Sequence, residues 1–578
     1  LEKKQLFILD IISKYVCELI LIISLVTSYH FQIKDRNPEG VIRSDGLGYY
    51  SYLPAIFIYN DYTYSFLEDA KRTHSDMDIS DGFLIKTEQG KANKYFVGLA
   101  IIWTPFFLLA HVLSKLAGIP ADGYSYLYHV FVLLAANIFL WLGCRYTLRL
   151  ISEYSPSRII NSGVVLLIVF GTNLFFYTTY DSVLTHVYSF GIISAFLYYS
   201  RAVILTANKK NLYCAALLFG LIILLRPTNA IIILMLPFFA GSFRRFTDSL
   251  RQLHARDYFI SAILFLSVLV TQFILYYLQT GHIIVWSYGE ERFYFGSPQI
   301  YNVLFSYRKG LFVYTPLFII ALTGLIYLFR TNRFQFIMVS SFLIANTYVI
   351  SCWWCWWYSG SLGQRAFVDS YSVLALLLVF LILGIRKKSL RILVCIPIIT
   401  IVAYSLVLTY QYKNHILDYA NMNEKKFWFT FMKTSPDLEG IAGCDVFFEG
   451  ASSDIVSIRA LSSNKYLSAA RDDNKKIEGT RDQTRSWESF NLISIDDKKV
   501  AFRCDDGNYF SVRLDLNSIL THQGTQVKEW EQFELIRQSN EVVIIKACNN
   551  KFLVREGQYF FAQQTTPERA EKFLIKRK

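Results

Sequence analysis

No cysteine framework runs through this sequence. Its nine cysteines are scattered over 578 residues, and their odd number argues against a disulfide-built fold. One pair, Cys352 and Cys355 in SCWWCWW, has CxxC spacing. It has neither a second pair nor a helix N-terminal signal, so no metal or redox role is expected there. The first apolar stretch carries Asp10, Lys14 and Glu18 and lacks a small-residue cleavage site, so it reads as an uncleaved anchor rather than a signal peptide. Charge is scarce as well: 18% of residues are charged, against 53% hydrophobic and 17% aromatic. With a positive mean hydropathy, these values exclude an ordinary soluble enzyme and predict a polytopic membrane protein with something attached. The formal net charge of +13 fits basic cytoplasmic loops, and no nucleic-acid partner is expected.

A crossing helix needs about 20 mainly apolar residues. Candidate segments lie near 13–31, 97–117, 124–147, 159–178, 185–205, 211–226, 228–241, 258–279, 311–329, 334–352, 368–385 and 389–409. Lys3 and Lys4 put the N-terminus in the cytoplasm by the positive-inside rule. The later clusters Arg145/Arg149/Arg158, Lys209/Lys210, Arg244/Arg245/Arg251/Arg256, Arg330/Arg333 and Arg386/Lys387/Lys388/Arg391 belong on the same side. If 97–117 and 124–147 both crossed, Arg145 would fall outside. The segment 97–117 has Pro105 near its middle, so it is expected to lie in the interface without crossing. That parity predicts about 11 crossings and an external C-terminus.

With this topology one face collects the first external loop (32–96), TTYDSVLTH (178–186), RPTN (226–229), the 280–310 loop and WWCWWYSGSLGQR (353–365). Charged groups near a bilayer are expensive and tend to be functional. Asp45, Asp181, His186, Arg226, Glu290, Glu291 and Arg365 would all gather there. That convergence is the strongest functional signal in residues 1–410. The run Trp353, Trp354, Trp356, Trp357 reads as an interface belt or as a wall for a lipid chain or a sugar ring. The long loop holding YGEERFYFG has the length of a lid.

Beyond a linker at 411–450 the hydropathy drops and short alternating strands begin. VSIRALSSNKYLSA (456–469), VAFRCDDGNYFSV (500–512) and VIIKACNNKFLV (543–554) match one another, with Tyr466, Tyr509 and Phe552 each 43 residues apart. A second element recurs as SWESF (486–490), EWEQF (529–533) and RAEKF (569–573), always with Glu two residues before Phe. Three strand-rich copies of about 40 residues over 451–578 predict an all-β β-trefoil. Cys504 matches Ala460 and Ala547 and reads as core packing. The repeat resembles the fascin-like trefoils, which carry an apolar strand, a Lys-Tyr-Leu-like turn and a WExF strand. The third copy departs by having Ala570 in place of Trp. The Gln-x-Trp signature of sugar-binding ricin-type trefoils is absent. Trefoils bind glycans and proteins alike, so the ligand stays open.

An Asp in the first external loop, an NKYFVG turn beside an interfacial helix, RPTN between spans and GQR before a late span resemble the GT-C glycosyltransferases over about residues 1–410. The resemblance implies an integral membrane enzyme that transfers a sugar from a polyprenyl-phosphate donor to an acceptor hydroxyl of a protein or surface glycan. The implied location is the bacterial inner (cell) membrane, with the site and the C-terminal domain extracytoplasmic and the trefoil available to hold the acceptor. The chemistry needs a base for the acceptor hydroxyl and cations for the leaving phosphate. Asp45 in RSDGLGYYSYL takes the first role, with Gly46 and Gly48 permitting close approach. Arg365 is the first choice for the phosphate, because a guanidinium grips two oxygens at once; Lys94 and Arg226 come next. Asp181, His186, Tyr49, Tyr50, Glu290 and Trp357 are expected to bind substrate. No cofactor is fixed by the sequence, and a divalent metal stays open: Asp181 and His186 would hold one if a third ligand joined them.

The rival reading is a transporter or flippase of a lipid-linked glycan with an external binding trefoil. Transporters tend to show inverted repeats and polar residues near mid-span. This chain shows no half-to-half similarity, and its polar residues lie at segment edges.

Overall fold

The apolar runs fold as helices, and the later strand pattern folds as a β domain. The computed structural model describes residues 12–35, 40–75, 77, 79–87, 90–449, 454–471, 475–496, 498–539 and 541–578. Lys3, Lys4, Asp10 and the first residues of the expected β domain (451–453) lie outside the described residues, as do the side chains of Lys388 and Arg391. The chain divides into two compact units, Leu1–Thr409 and Tyr410–Lys578.

Seven helices of the first unit are long and apolar enough to cross a membrane among the described residues, or up to eight if one bent pair counts as a span. They include Val16–Lys34, Tyr126–Ser152, His186–Thr206, Ala255–Thr280 and Arg333–Cys352. The count of 11 is not reached among the described residues: several apolar runs are interrupted, and the 389–409 segment, one unbroken helix at Lys388–Lys413, has its first side chains outside them. Lys209–Leu225 ends where Arg226 turns extended (φ −157°) before Pro227, since a proline pushes its predecessor out of the helical region. The next stretch, Pro227–Ala240, bends by 101° into Phe243–Arg251. The 311–329 run is broken at Pro316 into Leu311–Tyr314 and Leu317–Leu322. Arg158–Phe170, capped by the Ser157 side chain, is only 13 residues long.

One expectation changes in the other direction. Gly98–Leu116 is a single helix of 19 residues running straight through Pro105. At 1.5 Å per residue it spans about 28 Å, enough to cross, and a proline inside such a helix is tolerated when neighbours meet the freed backbone groups. Gly98 lies so close to the backbone of Leu224 that a Cβ would come within 2.4 Å of its carbonyl carbon. This helix therefore packs against the end of Lys209–Leu225, beside the RPTN break.

In the second unit, residues 411–449 of the expected linker form a folded segment. Ile416, Leu438, Ile441, Phe447 and Phe448 form a buried cluster with Ile455. Lys426 is buried and pairs with Asp418 and, at 2.6 Å, with Asp445.

The β domain holds a twelve-stranded sheet. Counting β1 (Leu84–Thr87) and β2 (Gly90–Asn93) in the first unit, its strands are β3 (Ile455–Ala460), β4 (Lys465–Ser468), β5 (Glu478–Arg481), β6 (Phe490–Ser494), β7 (Lys499–Arg503), β8 (Tyr509–Arg513), β9 (Ile519–Gly524), β10 (Phe533–Arg537), β11 (Val542–Lys546), β12 (Phe552–Glu556), β13 (Tyr559–Gln564) and β14 (Phe573–Arg577). β3, β6, β7, β10, β11 and β14 pair in a ring that closes the barrel. The hairpins β4–β5, β8–β9 and β12–β13 repeat once per copy. Ring closure leaves no open edge along these strands. The recurring glutamates are buried: Glu488 accepts from the Ser468 hydroxyl at 2.6 Å, Glu531 from Ser511 at 2.7 Å and Glu571 from Ser462 at 2.6 Å.

Candidate functional site

Asp45 opens the helix Asp45–Pro54, after Ser44 turns the chain with φ 51°. The positive end of that helix favours a carboxylate in its first turn. The Tyr95 hydroxyl donates to Asp45 Oδ1 at 2.7 Å, and Arg365 Nη2 donates to Oδ2 at 3.2 Å. Arg43, the neighbour that might have paired with Asp45, sits instead 3.6 Å from Asp181. Gly46 and Gly48 give room to protein rather than substrate: a Cβ on either would lie 2.4 Å from Val183 or Tyr95.

The hairpin β1–β2 sets Lys94 and Tyr95. Asn93 ends it by donating to the Gly48 carbonyl at 2.8 Å. Lys94 Nζ then meets Glu291 at 2.6 Å and lies over the Tyr288 ring. Burial and the Asp45 carboxylate together push the Tyr95 hydroxyl far above its usual pKa, so it stays protonated and donating.

Arg365 begins a tight helical turn at residues Arg365–Ser370. One turn further on, Asp369 is buried and accepts from His186 Nδ1 at 2.8 Å, Arg226 Nη1 at 3.0 Å and Asn229 Nδ2 at 2.8 Å. The Tyr358 ring joins this cluster to the Asp45 cluster, with the Arg226 guanidinium 5.5 Å and that of Arg365 5.8 Å from its centroid. Tyr358 and Ser359 have φ of 55° and 53°. Backbone held in the left-handed region by non-glycine residues is strained, and such strain concentrates at functional sites.

These groups line one cavity of about 500 Å³. Asp45, Tyr49, Lys94, His186, Arg226, Arg365 and Trp357 all face it. Glu291 lines it too, whereas Glu290 is exposed beside it. Tyr50 is turned away into the core, where its hydroxyl donates to the Gly123 carbonyl at 2.5 Å. Asp181 and His186 go to different partners, Arg43 and Asp369, and are not brought together on one ion. Trp357 carries the Arg308 guanidinium 3.8 Å from its ring centre.

The 280–310 loop is tied down rather than free. Tyr294 N–H donates to the Cys352 carbonyl at 2.6 Å and Trp354 N–H to the Arg292 carbonyl at 3.1 Å, so loop and tryptophan run form one wall. Sequence reasoning missed Asp369, Tyr95 and Asn229 as partners. A carboxylate four residues after Arg365 at the head of an apolar run was the available signal for Asp369.

Every cavity cation has an acidic partner, but the pairing is incomplete. Arg365 Nε is buried and has no hydrogen-bond partner among the described residues. A buried donor left open is a place for an acceptor to bind. Chemically, the cavity offers two carboxylates, Asp45 and Glu291, three cations and an aromatic wall.

Residues 452–569 match the family described as a domain of unknown function (DUF7910). No curated protein matches the chain.

Proposed function

We propose that this chain is an integral membrane glycosyltransferase of the GT-C kind, moving a sugar from a polyprenyl-phosphate donor onto an acceptor hydroxyl with inversion. The observation that carries the reading is the meeting of Asp45 with Arg365, a guanidinium that keeps an open buried N–H, in one cavity with Lys94 and Arg226. In the proposed step, Asp45 takes the proton of the acceptor hydroxyl while that oxygen attacks the anomeric carbon. The bond from this carbon to the phosphate oxygen breaks, and its electron pair leaves with the polyprenyl phosphate. Arg365 holds the phosphate through two N–H groups, and Lys94 and Arg226 add charge at headgroup depth. Tyr49 and Trp357 offer ring faces to the sugar or the first isoprene units.

The working face is taken as extracytoplasmic in an inner (cell) membrane, as the loop charges favour. The threefold recurrence of hairpin and ring pairing supports reading the C-terminal barrel as a β-trefoil with a glycan or protein ligand. The test uses purified wild type and Asp45→Asn in nanodiscs, with a labelled pool of polyprenyl-phosphate sugars and membrane extract as acceptor. Release of free polyprenyl phosphate should fall about a hundredfold or more in the variant, the range for loss of a general base. If wild type releases none but moves the lipid between leaflets, the transporter reading replaces this one.

A further inference from the structure

Among the described residues, one group of three potential ligands lies close enough for a metal ion, and it is in the β domain: Cys504, Asp506 and His522, whose ligand atoms all fall within 4.8 Å of one another. Cys504 and Asp506 sit in the turn after β7, and His522 is in the middle of β9. Cys504 and His522 are fully buried, and Asp506 is half-buried.

The polar contacts of the imidazole are informative. His522 Nε2 is 3.2 Å from the Ala470 carbonyl oxygen, which can only accept, so Nε2 carries a proton. Nδ1 of a neutral ring then turns its lone pair toward Asp506 Oδ2, 3.1 Å away. Either a second proton on the ring or a bound cation must therefore lie between Nδ1 and Oδ2. Metal-bound histidines characteristically donate their other N–H to a backbone carbonyl in this way. Asp506 is itself held by Asn508, whose backbone N–H donates to Oδ1 at 2.9 Å and whose side chain donates to Oδ2 at 2.8 Å. The adjacent residue, Asp505, has a buried carboxylate oxygen, Oδ1, with no hydrogen-bond partner among the described residues. Its other oxygen, Oδ2, already accepts from Arg471 Nη2 at 3.4 Å, so Asp505 is paired outside the three-residue group.

The repeats supply an internal comparison. Cys504 corresponds to Ala460 and Ala547. The cross-strand registers set Gly524 opposite Tyr509, Gln564 opposite Phe552 and Arg481 opposite Tyr466, so His522 corresponds to Ala562 and Gly479. The same barrel positions are therefore filled twice by the smallest side chains and once by a thiol and an imidazole. Cys504 belongs to the buried core of the barrel, as expected from its match to Ala460 and Ala547, and what the other two copies lack is the imidazole and thiol side by side.

We propose that Cys504, Asp506 and His522 bind a zinc-like divalent transition ion that clasps the turn after β7 to strand β9. A thiolate, an imidazole and a carboxylate make a mixed set that suits zinc and disfavours magnesium or calcium. Ligand bonds of about 2.0–2.3 Å set tetrahedral ligands roughly 3.3–3.6 Å apart, so the three groups, within 4.8 Å of one another, would draw in slightly on a bound ion. The fourth position falls to water. Nothing in this site depends on the membrane-enzyme reading.

The test is a cobalt titration of the tag-free full chain in detergent after chelator treatment, comparing wild type with Cys504→Ala and His522→Ala. Alanine stands at the corresponding places of the other repeats, so Cys504→Ala keeps the barrel. Wild type should take up one equivalent of Co²⁺ with a thiolate-to-cobalt charge-transfer band that zinc displaces. Cys504→Ala should lose the band, and His522→Ala should bind about tenfold more weakly or worse. A wild type without the band overturns the proposal and leaves His522 as a protonated partner of Asp506. A band unchanged in Cys504→Ala overturns it equally, since another thiol would then be the ligand.

Discussion

Asp45 and Arg365 stand 320 residues apart in the chain and 3.2 Å apart in space. The contact joins the start of the first loop's helix to the start of the last buried apolar helix of the cavity wall. It also leaves the guanidinium Nε unused, so the pair holds an arginine in place without exhausting it. A dianionic or monoanionic phosphate arriving there meets a donor already oriented, which lowers the entropic cost of binding.

Arg365→Lys tests that geometry. A lysine keeps the charge but gives up the planar fork. Hydrogen bonds to a charged group contribute about 1.5–3 kcal/mol each, so the KM for the lipid-phosphate donor should rise roughly ten- to a hundredfold, with a smaller change in kcat. Steady-state kinetics across donor concentrations checks this. An unchanged KM would remove Arg365 from phosphate binding.

Asp369→Asn should damage the protein through its neighbours. Asp369 takes donors from His186, Arg226 and Asn229, and loss of its charge leaves the half-buried Arg226 beside a neutral amide. Removing one partner of a buried ion pair costs about 3–5 kcal/mol. Thermal unfolding in detergent should show a clear fall in Tm, whereas Asn229→Ala, which removes a single neutral donor, should fall by much less. Equal shifts in the two variants would mean that the charge of Asp369 is unimportant.

Much of the cavity was legible from residue type and position. Asp45, Lys94, His186, Arg226 and Arg365 are charged or titratable groups at the ends of apolar runs, where burial demands partners. Their partnerships were not legible, because pairing over hundreds of residues depends on helix placement that local pattern does not carry. Tyr49 and Tyr50 illustrate the limit: adjacent on one helix, they point to cavity and core respectively. Span counting meets a related limit. A hydropathy window sees the apolar run around Pro316 as continuous, whereas the backbone breaks there. In the β domain the 43-residue spacing exposed the repeat directly, since each copy satisfies the same pairing rules.

The repeated WExF element, a short helical turn at Ser486–Glu488 and Glu529–Glu531 leading into β6 and β10, makes its own prediction. Trp487 and Trp530 are each 37% exposed, while Glu488 and Glu531 are buried and accept from serine hydroxyls and from the backbone N–H of Arg485 and Lys528. The glutamate therefore carries the structural load, which explains why Ala570 can replace the tryptophan in the third copy while Glu571 persists. Glu531→Ala orphans the Ser511 hydroxyl and the Lys528 N–H and should cost about 1–3 kcal/mol for each group left unsatisfied in the interior. Trp530→Ala should cost well under half as much. Hydrogen exchange of strands β8 to β10 in the full chain distinguishes the two, and a larger effect from the tryptophan would reverse the assignment.

Acid sensitivity is expected at one turn of the first loop. Burial would raise the Asp61 carboxyl, but hydrogen bonds outweigh it and hold the group at about 2. The donors are the hydroxyls of Ser65 and Thr63, both at 2.6 Å, and the N–H groups of Thr63 at 2.8 Å and Phe66 at 3.3 Å. In the opened turn the carboxyl returns to about 3.9. A pKa lower in the folded state means that the closed turn binds fewer protons, so its stabilisation is fully present above about pH 4 and fades as pH falls toward 2. Exchange of the Thr63 and Phe66 amides, corrected for intrinsic rates, should accelerate over that window while amides in Tyr126–Ser152 stay protected. Asp61→Asn should abolish the pH dependence, because an amide has no proton to gain. If exchange in the variant still followed pH between 4 and 2, the turn would be governed by another acid and Asp61 would be only one of its acceptors.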